Sequence, residues 1–229
     1  MPENPNPHIQ VINLGFVNAF LIPAGDGYIL LDTGVPQQWA RLESALLAAG
    51  CLPDRLKLVV ITHGDGDHTG NCLRLRDQYH ARIAMHPADS AQVESGVIPD
   101  RITHGLANKL FLSIGKVVMK LSRTRPESNP FKPDILLEDG QSLSAYGLEA
   151  QVLHTPGHTR GSIALLTRDG QLLVGDTITN LVKPEIAMFI QDPDEFRASL
   201  ERIRGLTATT VYPGHGKPFP FEKIAGLKG

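Results

Sequence analysis

Four of the six residues in His63-Gly64-Asp65-Gly66-Asp67-His68 can donate a lone pair to a metal ion. Imidazole nitrogen and carboxylate oxygen together suit Zn, Mn or Fe. The run follows a continuous apolar stretch, Leu56 to Thr62, fit for a strand buried on both faces. A strand end is rigid enough to hold ligands to the tolerance a metal requires. The two glycines let the backbone turn tightly and bring alternate side chains to one point. Taken alone, a polar turn of this composition is as easily a solvated loop. Three further segments repeat the arrangement. His154-Thr155-Pro156-Gly157-His158-Thr159 follows the β-like run Leu148 to Leu153, Gly175-Asp176-Thr177 follows Gln171 to Val174, and Pro213-Gly214-His215-Gly216 follows Thr209 to Tyr212. Each puts His or Asp just past a strand, beside Gly or Pro. A buried structural histidine does not need that recurrent placement, so the four segments point to one metal site.

Short β-like runs at Ile9 to Leu14, Val17 to Ile22 and Tyr28 to Asp32 are separated by turn chemistry at Gly15 and at Pro23 to Gly27, which suggests an antiparallel meander. From Pro36 the period changes. Trp39, Leu42, Ala45, Leu46 and Ala49 share a helical face, and Gly50 terminates it. A helix is expected at about 69–79, a strand from Arg82 to His86, and further strands at Ile135 to Leu137, Leu148 to His154, Ser162 to Thr167, Gln171 to Gly175 and Thr209 to Tyr212. Asp192-Pro193-Asp194-Glu195 reads as a helix start, with Asp192 as cap, Pro193 at the first position and Glu195 at capping-box spacing. Two β-rich halves, each closed by helices, fit a four-layer αββα sandwich of the α/β class. The whole chain, 1–229, is expected to be one domain. Residues 87–133 read as a helical insertion, because Leu106, Leu110, Ile114, Val117 and Leu121 recur at helical spacing before Pro126, Pro130 and Pro133.

The composition, 41% hydrophobic and 20% charged, allows a substantial core. A net charge of -2 provides no global basic field for nucleic acid or anionic membrane. No apolar run reaches the roughly 20 residues of a membrane span, and Met1 to His8 has neither the basic nor the apolar region of a signal peptide. The two cysteines, Cys51 and Cys72, lack zinc-knuckle spacing and read as buried, reduced residues of a cytoplasmic protein.

With those segments in that order, the sequence resembles the metallo-β-lactamase superfamily in its hydrolase branch, close to the glyoxalase II and lactonase type. The family pattern runs HxHxDH, then His, Asp and His, and the resemblance extends from about Val11 to Gly216. It implies that His63, Asp65 and His158 bind a first metal, that Asp67, His68 and His215 bind a second, and that Asp176 bridges them. Leu31-Asp32-Thr33-Gly34 is similar to a family segment whose Asp supports the metals from behind, and His154 falls outside the ligand set. The cofactors expected are two divalent ions, zinc first, with manganese or iron as alternatives. One departure stands out. The second His of the pattern is Asp65 here, so that Asp65, Asp67 and Asp176 bring three carboxylates together and shift the preference towards harder ions. The alternative is that Asp65 points away and one metal binds.

The expected activity is hydrolysis of a small-molecule ester, thioester or lactone by a metal-bridging hydroxide, with Asp67 orienting the nucleophile and passing a proton. Rival readings are an iron-dependent oxidoreductase or dioxygenase on the same fold, a phosphodiesterase or nuclease, and a binding protein with an inactive site. The expected partner is a small-molecule substrate, without nucleic acid or membrane. Arg101, Lys109, Lys116, Lys120, Arg123, Arg125 and Lys132 could lie on a lid, a homodimer contact, an interfacial face or a solvated helix face. His86 and His104 are left outside the site.

Overall fold

The computed structural model describes residues 8–97, 102–103 and 130–227. The expected meander forms as β1 (Gln10–Asn13), β2 (Asn18–Ala24) and β3 (Gly27–Leu31), paired antiparallel. The chain then passes through α1 (Trp39–Ala48) to β4 (Leu56–Val60), which runs parallel to β3. Two more parallel strands, β5 (Arg82–Met85) and, taken out of order, Ile135–Leu136, complete a six-stranded sheet.

The helix expected at 69–79 begins earlier and is broken. It comprises α2 (Gly66–Thr69) and α3 (Cys72–Tyr79). Asn71 interrupts it because its amide is committed to the carbonyls of Thr33 and Val35, at 2.7 and 2.9 Å. After β5 comes α4 (Pro87–Ser95), which starts the segment read as an insertion. Val93 of α4 and Phe131 are buried in the core beneath α1 and α3, so the segment is anchored at both ends. The strand β6 (Ile102–Thr103) lies between, and Ile135–Leu136 is β7. The amphipathic helix expected over Leu106 to Leu121, its basic residues and His104 lie outside the described residues.

The second sheet contains β8 (Ala150–His154), β9 (Ile163–Thr167) and β10 (Gln171–Gly175), followed by the short β11 (Ile178–Thr179), β12 (Glu185–Ile186) and β13 (Phe189–Ile190). The helix α5 (Pro193–Arg204) is capped as its sequence suggests: the Asp192 carboxylate accepts from the backbone N–H of Asp194 and Glu195. The strands β14 (Thr210–Pro213) and β15 (Phe219–Pro220) close a five-stranded sheet of order β15-β14-β10-β9-β8, in which β10 and β14 are parallel. β11 pairs with β12, and β13 with β6.

Alternation along the strands creates the four layers. Phe20, Ile22, Ile29, Leu31, Leu58 and Val60 face Val152, Ile163, Leu165 and Leu173 across the sandwich. The opposite face of the first sheet, with Leu21, Leu30, Val59 and Ile61, packs on Leu42 and Leu46 of α1 and Leu75 of α3. The opposite face of the second, with Leu172, Val174 and Val211, packs on Leu200 and Ile203 of α5. Each such buried side chain contributes about 1.5–3 kcal/mol. No helix among the described residues is long and apolar enough to cross a membrane.

Candidate metal centre

The parallel pairs β3/β4 and β10/β14 end side by side, with Leu31 level with Val60 and Gly175 level with Pro213. Residues just past these four ends therefore share one edge of the sandwich. Two bonds join the sheets there: the N–H of Ile163 donates to the carbonyl of Thr62, and that of Asn18 to Gly214, each at 2.8 Å. The Asn18 amide also donates to the carbonyls of Pro213 and Gly216, at 3.1 and 2.7 Å.

The seven residues named from the sequence converge on this edge. His63 Nε2 and His158 Nε2 lie 3.4 and 3.3 Å from the same oxygen of Asp65, Oδ2. Asp65 thus points inward. Asp67 Oδ2 lies 3.4 Å from His215 Nε2 and 3.8 Å from His68 Nε2. Asp176 reaches both groups: Oδ1 is 3.3 Å from His68 Nε2, while Oδ2 is 3.1 Å from His215 Nε2, 3.9 Å from His158 Nε2 and 4.0 Å from His63 Nε2. His63, His158 and Asp176 form one set of converging donors, and Asp67, His68 and His215 a second. Gly214 is needed beside them, because a Cβ there would overlap Asp176 Oδ1 and stand 2.8 Å from His68 Cε1.

Every imidazole is turned by a bond on its other nitrogen. His68 Nδ1 donates to Asp32 Oδ2 at 2.8 Å, His158 Nδ1 to the carbonyl of Phe189 at 2.7 Å, and His215 Nδ1 to the carbonyl of Phe16 at 2.6 Å. The Thr62 hydroxyl donates to Asp32 Oδ2 at 2.8 Å, so it accepts from His63 Nδ1 at 3.0 Å. Asp32 holds this position in the left-handed region, φ 59°, fully buried. A non-glycine residue rarely adopts that conformation unless its surroundings impose it. The network leaves each Nε2 as the atom that faces the centre.

Those atoms fit a cation. Buried His63 Nε2, His68 Nε2, His158 Nε2 and Asp176 Oδ1 have no hydrogen-bond partner among the described residues. Leaving a buried polar group unsatisfied costs about 1–3 kcal/mol, and cations held by the two sets of donors would offset that cost. Donors about 2.0–2.1 Å from a tetrahedral ion stand roughly 3.3 Å from each other, which matches the shorter separations above. Without a cation the cluster holds protons instead. Burial opposes a charge on His68 and His215, but the carboxylates outweigh it: Asp176, Asp32 and Asp67 raise His68 well above the usual range, and Asp176 and Asp67 push His215 up to about 10. Burial likewise opposes ionisation of Asp176, and His215 and His68 overcome it, holding its carboxyl well below the usual value. Metal binding at such a site must release protons.

His154 and His86 stand apart from the cluster. Their rings stack at 3.9 Å, His154 Nε2 donates to the carbonyl of Arg160, and His86 Nδ1 caps α4 by accepting from Ala88 N–H. Three supporting residues had no signal in the sequence: Asn18, Asp89 and Gln92. Asp89, 2% exposed, accepts from the N–H of Gly64, the hydroxyl of Thr159 and the N–H of Gly161, at 2.7–2.8 Å. It ties the His63 loop to the His158 loop.

A four-layer sandwich with His and Asp converging at one edge defines a class. Residues 12–215 match the model of the metallo-beta-lactamase superfamily, and the chain belongs to that superfamily. It is 26% identical over 215 residues to the beta-lactamase-like protein 2 homolog of Caenorhabditis elegans, covering 93% of this chain and 59% of that protein. It is 27% identical to the acyl-coenzyme A thioesterase MBLAC2 of Homo sapiens, covering 92% and 76%. The chain therefore spans about three fifths of the first of these relatives and three quarters of the second. Among solved structures, the metallo-beta-lactamase family protein TTHA1429 from Thermus thermophilus shares the fold with a TM-score of 0.71 at 24% identity, covering 97% of this chain and 78% of that one. TTHA1623, solved in a di-iron-bound form, superposes with a TM-score of 0.66 at 24% identity, covering 96% of each chain.

Proposed function

We propose that this protein is a binuclear metal-dependent hydrolase of a small-molecule thioester, with esters and lactones as related substrates. The observation that carries this reading is the convergence of four imidazole Nε2 atoms and three carboxylates, each imidazole turned inward by a bond on Nδ1. His63, Asp65 and His158 would hold one ion, Asp67, His68 and His215 the other, and Asp176 would span them. When bound, a pair of divalent cations supplies Lewis acidity, which makes water nucleophilic near neutral pH and polarises a carbonyl. The protein's own contribution is placement. The backing bonds, those of His63 and His68 fully buried, would keep the donors fixed through turnover, so little reorganisation is needed. Asp67, the most exposed of the three carboxylates with 27% of its side chain accessible, can orient the nucleophile and carry a proton between it and solvent. Zinc is the first choice of metal, and the third carboxylate keeps manganese and iron in play.

The thioester is carried from two relatives: the acyl-coenzyme A thioesterase named above, and the atrochrysone carboxyl ACP thioesterase of Aspergillus fumigatus, 23% identical and matched over 37% of its length. A small-molecule substrate also suits the net charge of -2, which gives no global basic field for nucleic acid or membrane. Two buried free cysteines fit a reducing cytoplasm. The test is elemental analysis of protein purified without chelator or added metal, followed by a panel of acyl thioesters, esters and lactones. About two equivalents of metal per chain, with chelator-sensitive thioester turnover, is the expected result. Absence of metal even after reconstitution would overturn the reading.

A second reading, an iron-dependent oxidoreductase, is favoured by one observation: the inward carboxylate of Asp65, an oxygen donor suited to iron. Visible absorbance from bound iron, with no hydrolysis, would select it.

A further inference from the structure

Helix α4 reaches the metal centre with two side chains one turn apart, Asp89 and Gln92. Both catch the same residue, Gly64, on its two flanking peptide units. The N–H of Gly64 donates to Asp89 Oδ2 at 2.8 Å, and the carbonyl of Gly64 accepts from Gln92 Nε2 at 2.8 Å. Gln92 is 8% exposed, and its amide lies so close that a Cβ on residue 64 would stand 3.0 Å from Gln92 Cδ and 3.1 Å from Nε2. A glycine at position 64 is what lets the glutamine in. From there Gln92 Nε2 makes a second contact, to Asp65 Oδ1 at 3.2 Å. The other oxygen, Oδ2, is the one 3.4 and 3.3 Å from His63 and His158 Nε2. One carboxylate is thus divided between two tasks: Oδ1 takes the amide and Oδ2 faces the centre.

We propose that Gln92 is a positioning residue that holds Asp65 as a one-oxygen ligand, and that it thereby strengthens manganese relative to zinc at the first metal subsite. This rests on the reading of the cluster as a metal centre. A carboxylate free to rotate can chelate through both oxygens, bind through one or turn away. The amide donor on Oδ1 selects the single-oxygen mode and fixes the plane of the group. It also draws charge from a carboxylate beside two others, Asp67 and Asp176, which relieves their mutual repulsion. Manganese and iron depend on hard oxygen donors more than zinc does, since zinc is well served by imidazole. Loss of control over Asp65 should therefore weaken manganese more than zinc. The second set of donors, Asp67, His68 and His215, makes no hydrogen bond with Gln92 among the described residues and should be unaffected.

The experiment is calorimetric titration of metal-free protein with manganese chloride, and separately with zinc chloride, for wild type, Gln92→Ala, Gln92→Glu, Asp65→His and the double variant Asp65→His/Gln92→Ala. Gln92→Glu keeps the volume but turns an acceptor towards Gly64 O and Asp65 Oδ1. Circular dichroism establishes that each variant is folded. The expected result is two binding events in wild type. Both Gln92 variants should weaken manganese at one event about 10–100-fold, the usual effect of losing a group that orients a ligand, with a smaller loss for zinc and the other event unmoved. With histidine at position 65 the effect of Gln92→Ala should disappear. Unchanged manganese affinity in Gln92→Ala would overturn the proposal while leaving the metal centre intact. Equal losses for both metals and at both events, persisting in the Asp65→His background, would mean that Gln92 only holds the loop and would also overturn it. A wild type that binds neither metal would refute the metal centre itself.

Discussion

Asp32 Oδ2 accepts from His68 Nδ1 at 2.8 Å, and neither side chain is exposed to solvent. The same carboxylate accepts from the Thr62 hydroxyl, which in turn receives His63 Nδ1–H. One buried anion therefore sets the orientation of two imidazoles, one in each set of donors. Asp32→Ala is expected to lower metal affinity at both subsites, on the order of 10–100-fold. It should also destabilise the metal-free protein by roughly 3–5 kcal/mol, because it strands a buried imidazolium without its partner. Asp32→Asn tolerates the left-handed backbone and should keep most of the stability while losing affinity. Calorimetric metal titration and chemical denaturation check the two effects separately. An Asp32→Ala variant with wild-type affinity would show that the histidines are held without it.

Asp89 fastens two loops that lie far apart in sequence, through Gly64, Thr159 and Gly161. Asp89→Ala leaves two buried backbone N–H groups without an acceptor, and each such group costs about 1–3 kcal/mol. Asp89→Asn retains one acceptor oxygen and should lose less. The ordering wild type, Asn, Ala in midpoint of urea unfolding is the expected outcome. It would be contradicted by an alanine variant as stable as wild type.

Asp89 also marks where the sequence stops being legible. The candidate site could be read because its residues carry chemistry in their types and recur just past apolar runs, as at Thr62-His63 and Val174-Gly175-Asp176. The two sheets were visible in the β-like runs, and α5 in its Asp192-Pro193 start. What the sequence hides is support by single polar residues. Asn18 bonds to Pro213 across 195 positions, and Asp89 to Gly161 across 72. Nothing local distinguishes either from a solvated Asn or Asp, because their partners are backbone groups that any sequence supplies, with the Thr159 hydroxyl added for Asp89. The break at Asn71 was hidden for the same reason: the carbonyls that draw its amide out of the helix belong to Thr33 and Val35.

His86 stacks on His154 and should report on pH. Burial, then the neighbouring imidazole of His154, lowers the pKa of His86 to about 4 from an ordinary 6.5. The unfolded chain takes up a proton on this ring as pH falls through 6.5, while the folded chain resists until about 4. Folded stability contributed by this site is therefore whole above 6.5, declines between 6.5 and 4, and levels off below. His86→Asn keeps an acceptor for the Ala88 N–H and removes the titration. The loss of melting temperature between pH 7.5 and pH 5 should be smaller in this variant than in wild type; an equal loss would assign the acid sensitivity to other groups.

Asp176 is the residue that the two sets of donors share. Its Oδ1 lies 3.3 Å from His68 Nε2 and its Oδ2 3.1 Å from His215 Nε2, while His158 and His63 stand 3.9 and 4.0 Å from Oδ2. Removing it takes away a carboxylate that lies between the two sets of donors and, in the proposed binuclear centre, would neutralise both ions. Asp176→Ala should abolish most thioester turnover, by more than the roughly 10–100-fold typical of groups that only orient a ligand. Metal content should fall by one or both equivalents. A thermal comparison separates ligation from folding. Bound metal stabilises the native state by about 4 kcal/mol at a free concentration 1,000 times the dissociation constant. Chelator should therefore lower the melting temperature of wild type markedly and that of Asp176→Ala only slightly. Asp176→Asn, which keeps the shape and loses the charge, should fall between them. A variant with full metal content, full turnover and the wild-type response to chelator would remove Asp176 from the bridging position.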